Sequence, residues 1–260
     1  MTTVDRPSND SADKCALYVD GLSLGYGGKT ILENVSFCVN PGEIVTVLGG
    51  SGCGKSTLLR GIIGLLPLGN GSIYLLGRKI SGSSAEQSLE WARKKIGVLF
   101  QSGALIGSLT VAENIALPIQ EFSNAPKQII SDIVRLKLEM VRLGGFGDYY
   151  PSELSGGMRK RAGLARAIAL DPEVLFCDEP SSGLDPVISA EMDRLLLDLN
   201  NSLGITMVVI THDLPSIMTI SDRSIMLDRS TKGIIAVGPP DQLRDSPNPI
   251  VFAFFHREPL

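Results

Sequence analysis

The stretch EIVTVLGGSGCGKSTLLRGIIGLL, residues 43–66, decides the fold. Its first part, Glu43 to Leu48, is a short run of mostly apolar residues and predicts a buried strand. Glycines and Lys55 follow at once, and the composition from Ser56 to Leu66 favours a helix. A strand, a glycine-rich turn and a helix in this order begin an α/β core.

The glycine-rich turn matches the pattern G-x-x-x-x-G-K-[ST] at every fixed position. Glycines let the backbone close around phosphate oxygens and point its N–H groups inward, and the positive end of the following helix faces the same anion. Lys55 supplies a charge for the β and γ phosphates, and the Ser56 hydroxyl supplies one ligand for Mg²⁺. The residues predicted to bind nucleotide here are consecutive: Gly49, Gly50, Ser51, Gly52, Cys53, Gly54, Lys55, Ser56 and Thr57.

A second apolar run, from Val174 to Cys177, ends in the two acids Asp178 and Glu179. The C-terminal end of a parallel strand faces the ligand crevice of an α/β sheet. Asp178 fits magnesium binding, usually through water, and Glu179 fits a base that orients or activates the attacking water. Acidic residues often simply end strands, but joined to the phosphate loop this pair predicts a nucleoside triphosphatase.

The composition sets the class of protein. The chain has 260 residues, 43% hydrophobic and 20% charged, and therefore predicts one large domain, or one with a small lobe, around a sizeable core. Its 28 acidic and 24 basic residues give a net charge of −4, which argues against a general nucleic-acid or anionic-membrane binder. The longest uncharged run, residues 61–77, is interrupted by Pro67 and Gly69, so no segment is predicted to cross a bilayer.

The four cysteines suggest a reducing compartment. Cys15, Cys38, Cys53 and Cys177 form no CxxC pair and no metal-ligand spacing with His212 or His256, so no structural zinc is expected. Cys53 and Cys177 are interpreted as small, partly buried fillers, with redox sensing as the lesser alternative. Residues 1–14 lack an apolar stretch and carry three aspartates, which predicts a flexible cytoplasmic tail rather than a targeting signal.

Hydrophobic periodicity divides the rest of the chain. Alternation from Ala16 to Val39 predicts antiparallel strands, and residues from about 103 to 152 predict a mostly helical insertion. Beyond the insertion, a helix starting at Asp185 and Pro186 lies between the run at Val174–Cys177 and a strand-like run at Met207–Ile210, which indicates a parallel sheet. Capping-box spacing occurs twice, at Ser84 with Gln87 and at Thr110 with Glu113, and Pro126 opens a further helix.

Residues 154–158 read LSGGM and resemble the LSGGQ signature of the ATP-binding cassette ATPases, with Met158 in place of glutamine. The other family motifs follow in order: Tyr26 resembles the aromatic residue that stacks on adenine, Gln101 the Q-loop glutamine, Ser182–Asp185 the D-loop, and His212 the switch histidine. The resemblance implies a P-loop NTPase with a RecA-like parallel-sheet core, an antiparallel β subdomain and an inserted α-helical subdomain at about 103–170. The ATPase domain would span 15–242, between the tail at 1–14 and a short tail at 243–260.

The resemblance also implies roles for residues. Glu179, His212, Gln101 and Lys55 would be catalytic, and Ser56, Gln101 and Asp178 would hold Mg²⁺, partly through water. Beside the phosphate loop, ATP would be bound by Tyr26, Gln101, Ser155, Gly156, Gly157, Asp178, Asp185 and His212. Ser155, Gly156 and Gly157 open a helix and form a second phosphate nest, which one chain does not need for one γ-phosphate. Head-to-tail dimerisation around two ATP molecules would resolve this.

Plainer interpretations stay open for several residues. The alternative interpretations are that Tyr26 is an ordinary half-exposed aromatic residue and that His212 is a core histidine satisfied by the backbone. The basic group Arg159, Lys160, Arg161 and Arg166 is typical of a solvated helix face or of support for the phosphate-binding lobe.

Within the family, four segments resemble the MlaF-type ATPases of phospholipid transporters: LFQSGAL at 99–105, ELSGGM at 153–158, AGLARAIALDP at 162–172, and the tail at 246–255. This implies a peripheral ATPase homodimer on the cytoplasmic face of the inner membrane, moving phospholipids between the inner and outer membranes. Its partners would be an MlaE-like permease, whose short cytoplasmic helix would meet residues 102–112, an MlaD-like Mce-domain protein and an MlaB-like STAS-domain protein.

Three alternatives remain open at this stage. One alternative is an ATPase that serves a transporter of another cargo, and a second is a soluble cassette protein that works without a membrane. The tail residues Val251, Phe252, Phe254 and Phe255 either reach a neighbouring subunit or pack on their own domain.

Overall fold

The computed structural model describes residues 13–82 and 85–259. The tail expected at 1–14 lies outside this range up to residue 12, and so does Ser84 of the first capping box. The strands are β1 Leu17–Tyr26, β2 Lys29–Val39, β3 Ile44–Leu48, β4 Asn70–Leu75, β5 Arg78–Lys79, β6 Ile96–Leu99, β7 Val174–Asp178, β8 Thr206–Ile210, β9 Arg223–Asp228 and β10 Gly233–Gly238. The helices are α1 Lys55–Ile62, α2 Ala85–Arg93, α3 Val111–Phe122, α4 Lys127–Met140, α5 Gly156–Ala167, α6 Pro186–Leu203, α7 Leu214–Ile220, α8 Pro240–Arg244 and α9 Pro249–His256.

The larger sheet has the order β10-β9-β3-β8-β7-β6 and is parallel except for its edge strand β10. All five residues of β3 and all five of β8 are buried, as expected for strands covered on both faces. Parallel pairing aligns Val47 with Ile210 and Asp178 with Ile210. The ends of β3, β7 and β8 therefore meet at one edge, which places the phosphate loop, the acidic pair and His212 together.

The smaller sheet is antiparallel, in the order β2-β1-β4-β5, as the alternation in residues 16–39 predicts. Its register sets Tyr18 opposite Cys38, and a disulfide joins Cys38 to Cys15, with 5.8 Å between the Cα atoms. The disulfide differs from the expectation of a reducing compartment. Sequence spacing gave no sign of it, because only the pairing of β1 with β2 brings the two cysteines together.

The inserted helices α3, α4 and α5 pack on one another, and their apolar faces share a core with β7 and β8. The capping box predicted at the start of α3 is present: Thr110 Oγ1 accepts from the Glu113 N–H, and the Glu113 carboxylate accepts from the Thr110 N–H. Pro126 precedes the first turn of α4, as the sequence indicated. Lys137 is buried on α4, and its ammonium pairs with Asp171 at 2.5 Å.

Near the C-terminus the chain forms α9, which packs against the larger sheet. Val251 and Phe255 are buried and share a cluster with Leu48 and Met226 of the larger sheet. Phe252 lies on the other side of the helix and is 37% exposed. Within the described residues, no helix has both the length and the apolar character that a bilayer span requires.

Candidate functional site

The phosphate loop links β3 to the first turn of α1, as the sequence predicted. Gly49 has a φ of +139°, and a Cβ there would lie 2.3 Å from the Leu227 carbonyl oxygen. Gly54 has a φ of +106°, and a Cβ there would lie 2.8 Å from a Leu32 methyl carbon. Only glycine fits these two places, because both the backbone conformation and the space exclude a side chain.

The Lys55 ammonium folds back over this loop. Its Nζ donates to the carbonyl oxygens of Gly49 at 2.7 Å and Gly50 at 3.2 Å. Ser51 and Gly52 are exposed at the tip, while Ser56 and Thr57 lie in the first turn of α1. The loop therefore presents a mobile cation and a helix N-terminus together, the combination that binds phosphate.

Cys53 is buried under the loop, and burial raises the pKa of its thiol, although the Lys55 charge opposes the shift. Cys177 is buried on β7, and burial raises its pKa to about 12. Thiols of raised pKa are poor nucleophiles, so the geometry favours fillers over redox sensors.

Asp178, one of the residues predicted to hold Mg²⁺, ends β7. Its Oδ1 is buried and has no hydrogen-bond partner among the described residues. Burial and the adjacent Glu179 charge raise the pKa of Asp178, and the nearby Ser56 hydroxyl and the charges of Arg60 and Lys55 oppose that rise in part. An unpaired carboxylate oxygen beside a serine hydroxyl is a set of hard oxygen donors, so these residues fit Mg²⁺.

Gln101 follows β6 and points to the D-loop. Its Nε2 donates to Ser182 Oγ at 3.3 Å. Among the described residues, no hydrogen bond joins Gln101 to Ser56 or Asp178. Gln101, the third residue predicted to hold Mg²⁺, therefore lies next to the D-loop, and its side-chain amide is hydrogen-bonded to Ser182.

Glu179 and His212 form a pair. His212 Nδ1 lies 2.8 Å from Glu179 Oε1, and the histidine side chain is 66% exposed while the glutamate is 13% exposed. This exposure excludes the interpretation of His212 as a core histidine. Glu179 has a φ of +50°, an uncommon conformation that is fixed by its N–H donating to the Ile210 carbonyl at 2.8 Å.

The signature turn lies at the start of α5. Ser155 caps the helix, its Oγ accepting from the Met158 N–H at 3.2 Å. A Cβ on Gly157 would lie 2.7 Å from Ile188 Cγ2, whereas a Cβ on Gly156 would only touch Leu184 at 3.8 Å. Among the described residues, no hydrogen bond joins this turn to the phosphate loop.

The remaining predicted residues are placed as follows. Tyr26 ends β1 and is 45% exposed. The Asp185 carboxylate caps α6 by accepting from the N–H groups of Val187 and Ile188 at 3.0 and 3.1 Å. Asp185 therefore has a structural role, and any contact with nucleotide would be an addition to it.

Of the two interpretations of the basic group after the signature, the contacts of Lys160 and Arg166 contradict a solvated face and agree with support for neighbouring loops. Lys160 is 6% exposed, and its Nζ donates to the carbonyl oxygens of Glu179 and Ser182. Arg166 donates to the carbonyl oxygens of Gly103 and Ala104. Sequence reasoning missed these contacts, because a cluster of four basic residues on one helix does not show which of their side chains point into the protein.

Comparisons with known proteins identify the same family that the sequence motifs resemble. A family model described as "ABC transporter" matches residues 32–182. The chain is 40% identical over 233 residues to the intermembrane phospholipid transport system ATP-binding protein MlaF of Escherichia coli K12, covering 90% of this chain and 86% of that protein. It is 43% identical over 241 residues to the probable ribonucleotide transport ATP-binding protein mkl of Mycobacterium leprae, covering 93% of this chain and 69% of that protein.

The Mycobacterium tuberculosis mkl protein is 42% identical, and the chain spans 66% of its length. Among solved structures, cbiO1 from Clostridium perfringens, part of the ABC transporter complex cbiONQ, matches with a TM-score of 0.80 at 28% identity, over 90% of this chain and 92% of that one. The cassette MJ0796, solved as a dimer in a post-hydrolysis state with ADP and Pi, matches with a TM-score of 0.78 at 29% identity, over 86% and 98%.

Proposed function

The chain belongs to the ATP-binding cassette family of transporter ATPases, and from this premise we propose that its hydrolysis of ATP drives the movement of phospholipids between the inner and outer membranes. The observation that carries the cargo is the 40% identity to MlaF over 90% of the chain. The observation that carries the chemistry is the meeting of Lys55, Asp178 and Glu179 at one edge of the parallel sheet.

ATP would bind with its adenine on Tyr26, which is exposed at the end of β1. Its phosphates would lie in the loop 49–54, where the Lys55 ammonium would leave the carbonyl oxygens of Gly49 and Gly50 for the β and γ phosphates. Ser56 and Asp178 would hold Mg²⁺, with Gln101 joining them once it leaves Ser182. When bound, Mg²⁺ neutralises charge on the β and γ phosphates.

Glu179 would orient the attacking water and accept its proton. The carboxylate is aimed by the fixed backbone of Glu179 and by the His212 imidazole at 2.8 Å. His212 is exposed enough to turn toward a γ-phosphate, which agrees with the role of a switch residue. Hydrolysis gives ADP and phosphate.

The free phosphate nest at the start of α5 supports a composite site. In a head-to-tail dimer, the γ-phosphate on one subunit would meet the N-terminus of the partner's signature helix. ATP would thus hold the dimer closed, and loss of the γ-phosphate would release it.

Gly156→Glu tests the composite site. A Cβ at Gly156 meets only ordinary van der Waals contacts, and the position is exposed, so the fold and ATP binding to the monomer are expected to survive. Its carboxylate would repel the partner's γ-phosphate, and we expect hydrolysis to fall by about 10²-fold or more. Phosphate release and equilibrium ATP binding measure the two effects.

Gln128→Glu is the matched control, because it adds one carboxylate to the first turn of another exposed helix of the same lobe. Normal hydrolysis by the Gly156 variant would overturn the composite site.

A groove beside the inserted helices supports permease docking. Its volume is about 210 Å³, and it is lined mainly by apolar residues of β6, α3 and α5 and of the segments that follow β6 and α5, among them Phe100, Pro118, Phe122 and Leu170. A short amphipathic helix of an MlaE-like permease would fit there, next to the predicted contact segment 102–112. Ile129 and Leu136 on α4 are exposed apolar residues, and we assign that face to a STAS-domain protein.

Purification of the tagged chain from mild-detergent membranes, with mass spectrometry of the bound subunits and lipids, tests the cargo. An MlaE-like permease, an Mce-domain protein and phospholipid would support the proposal and place the ATPase on the cytoplasmic face of the inner membrane. A ribonucleotide with a different permease would favour the function in the name of the mycobacterial relatives. Recovery only from the soluble extract would favour a cassette protein without a membrane partner.

A further inference from the structure

Lys160 is a buried cation without an ion-pair partner of its own among the described residues. It lies on α5, is 6% exposed, and places its ammonium on two carbonyl oxygens: Glu179 at 3.0 Å and Ser182 at 2.5 Å. Burial lowers the pKa of Lys160, and the Glu179 charge opposes that shift. Lysine is seldom buried, because removing an ammonium from water is costly, so its two acceptors must hold it well.

The two carbonyl oxygens that accept from Lys160 lie at the two ends of the turn 179–182, which carries the proposed catalytic carboxylate of Glu179. Within this turn, the Ser182 N–H donates to the Glu179 carbonyl at 3.2 Å. Glu179 is in the left-handed region at a φ of +50°, a conformation that persists only where its surroundings fix it. Lys160 supplies part of that fixation, because it binds the same carbonyl oxygen from the side of α5.

A second cation ties α5 to the other catalytic loop. Arg166 donates to the carbonyl oxygens of Ala104 at 2.8 Å and Gly103 at 3.0 Å, just after Gln101. Arg166 also lines the proposed permease groove. The helix that begins with the signature therefore holds the segment after Gln101 near its C-terminus and the turn 179–182 near its N-terminus.

We propose that Lys160 is a positioning residue for Glu179, through which a movement of α5 reaches the catalytic carboxylate. The inference rests on the proposed role of Glu179 in hydrolysis. Lys160 acts through the backbone in this arrangement, since its ammonium donates to the carbonyl oxygens of Glu179 and Ser182.

Lys160→Met removes the two hydrogen bonds and keeps most of the side-chain volume. We expect kcat for ATP hydrolysis to fall by about tenfold or more, while KM for ATP changes by less than about threefold. The reason is that the Glu179 carboxylate loses its orientation, whereas the residues that bind ATP are unchanged. Lys160→Arg keeps a cation with several donors and is expected to recover most of kcat.

Arg161→Met is the matched control on the next residue of α5. Arg161 pairs with Glu191 at 3.6 Å, and in the described part of the chain no hydrogen bond joins its side chain to the turn 179–182. We expect its kcat to stay within about twofold of the parent chain. A kcat of Lys160→Met equal to that of the control, or an equal loss in Lys160→Met and Lys160→Arg with a raised KM, would overturn the positioning role.

Hydrogen exchange at the Ser182 amide separates this inference from the role of Glu179. The amide is expected to exchange faster in Lys160→Met than in the control, because Glu179, whose carbonyl accepts from this amide, has lost its hydrogen bond from Lys160. Unchanged exchange would count against the inference even if turnover fell. If Glu179→Gln keeps full turnover while the Ser182 amide loosens as expected, the role of Glu179 fails and the contact of Lys160 with the turn stands.

Discussion

Glu179 shows how a single side chain is aimed. Its backbone lies at a φ of +50°, a strained state that costs a non-glycine residue about 1–3 kcal/mol. Its N–H is held by Ile210 and its carbonyl by Lys160, and its carboxylate meets His212. Three elements, β8, α5 and the loop after β8, thus fix one carboxylate.

Glu179→Gln is expected to keep ATP binding and to lower kcat by about 10²–10⁴-fold. The amide keeps the size of the side chain but cannot accept a proton from water, so the closed ATP dimer should accumulate. Phosphate release measures kcat, and size-exclusion chromatography with ATP measures the dimer. Glu33→Gln, a change at an exposed residue of β2, is the control and should leave both unchanged. Parent-like turnover in the Glu179 variant would exclude it as the catalytic carboxylate.

At the residue scale, sequence reasoning succeeded where the chemistry is local. The phosphate loop is one unbroken segment, so its pattern places every residue at once. The contact of Lys160 with the turn at Glu179 joins residues 19 positions apart on different elements, and nothing in the charge pattern distinguishes Lys160 from the partly buried Arg159 and Arg161 beside it. Burial of one cation among several depends on the helix's orientation, which the sequence does not state.

At the element scale, periodicity located the long helices and the buried central strands. It predicted strands at Glu43–Leu48 and Met207–Ile210, and these are β3 and β8 with ends shifted by one residue. It gave no sign of β5 or β6, because these strands have two and four residues and therefore too few positions for a pattern. Tertiary pairing with β4 and β7 defines them.

The C-terminal helix α9 provides an element-scale prediction. Phe255 is 8% exposed in the cluster with Leu48 and Met226, whereas Phe252 is 37% exposed and stacks on His256. Phe255→Ala is expected to lower the free energy of unfolding by about 3 kcal/mol, because it leaves a cavity. Phe252→Ala should lower it by less than about 1 kcal/mol. Urea denaturation of the monomer measures both.

The same pair of variants decides where the tail packs in solution. If Phe255→Ala leaves the monomer's stability unchanged and instead weakens the ATP dimer, then the tail reaches a neighbouring subunit. Equal losses for the two phenylalanines would contradict the packing of α9 by its Phe255 side.

At the scale of the whole molecule, the family pattern predicted the two sheets and the helical insertion, but not what joins them. Arg223 on β9 joins the sheets: it donates to Glu43 at 2.7 and 2.9 Å and to the Cys38 carbonyl of β2 at 2.7 Å. Arg223 lies 180 positions after Glu43 and 185 positions after Cys38 in the chain. Such a contact depends on how the strands are arranged in the folded chain, and no motif in the sequence predicts it.

The pair of Glu43 and Arg223 makes the stability of the fold depend on pH. Burial raises the pKa of Glu43, but the hydrogen bond and charge of Arg223 and the Asn40 N–H outweigh it, and the pKa is lowered from its ordinary 4.5. A carboxyl group with a lowered pKa adds stability above its unfolded pKa and loses it as the pH falls through the folded value. The pKa values of Asp178 and Asp193 are raised, so those groups act in the opposite direction.

Glu43→Gln isolates this contribution, because the other carboxyl groups are common to both chains. At about pH 7 the variant is expected to lose about 2 kcal/mol of unfolding free energy, since the Arg223 guanidinium is left without its charged acceptor. The difference should shrink as the pH falls below 4.5 toward the lowered pKa, where the parent chain also carries a neutral Glu43. Urea denaturation across this range measures it. Glu173→Gln, at a pair with Lys95 that is 38% and 50% exposed, should change stability by less than about 0.5 kcal/mol throughout. A Glu43 effect that does not vary with pH would mean that the side chain acts through packing, and that its charge does not hold the Arg223 guanidinium in place.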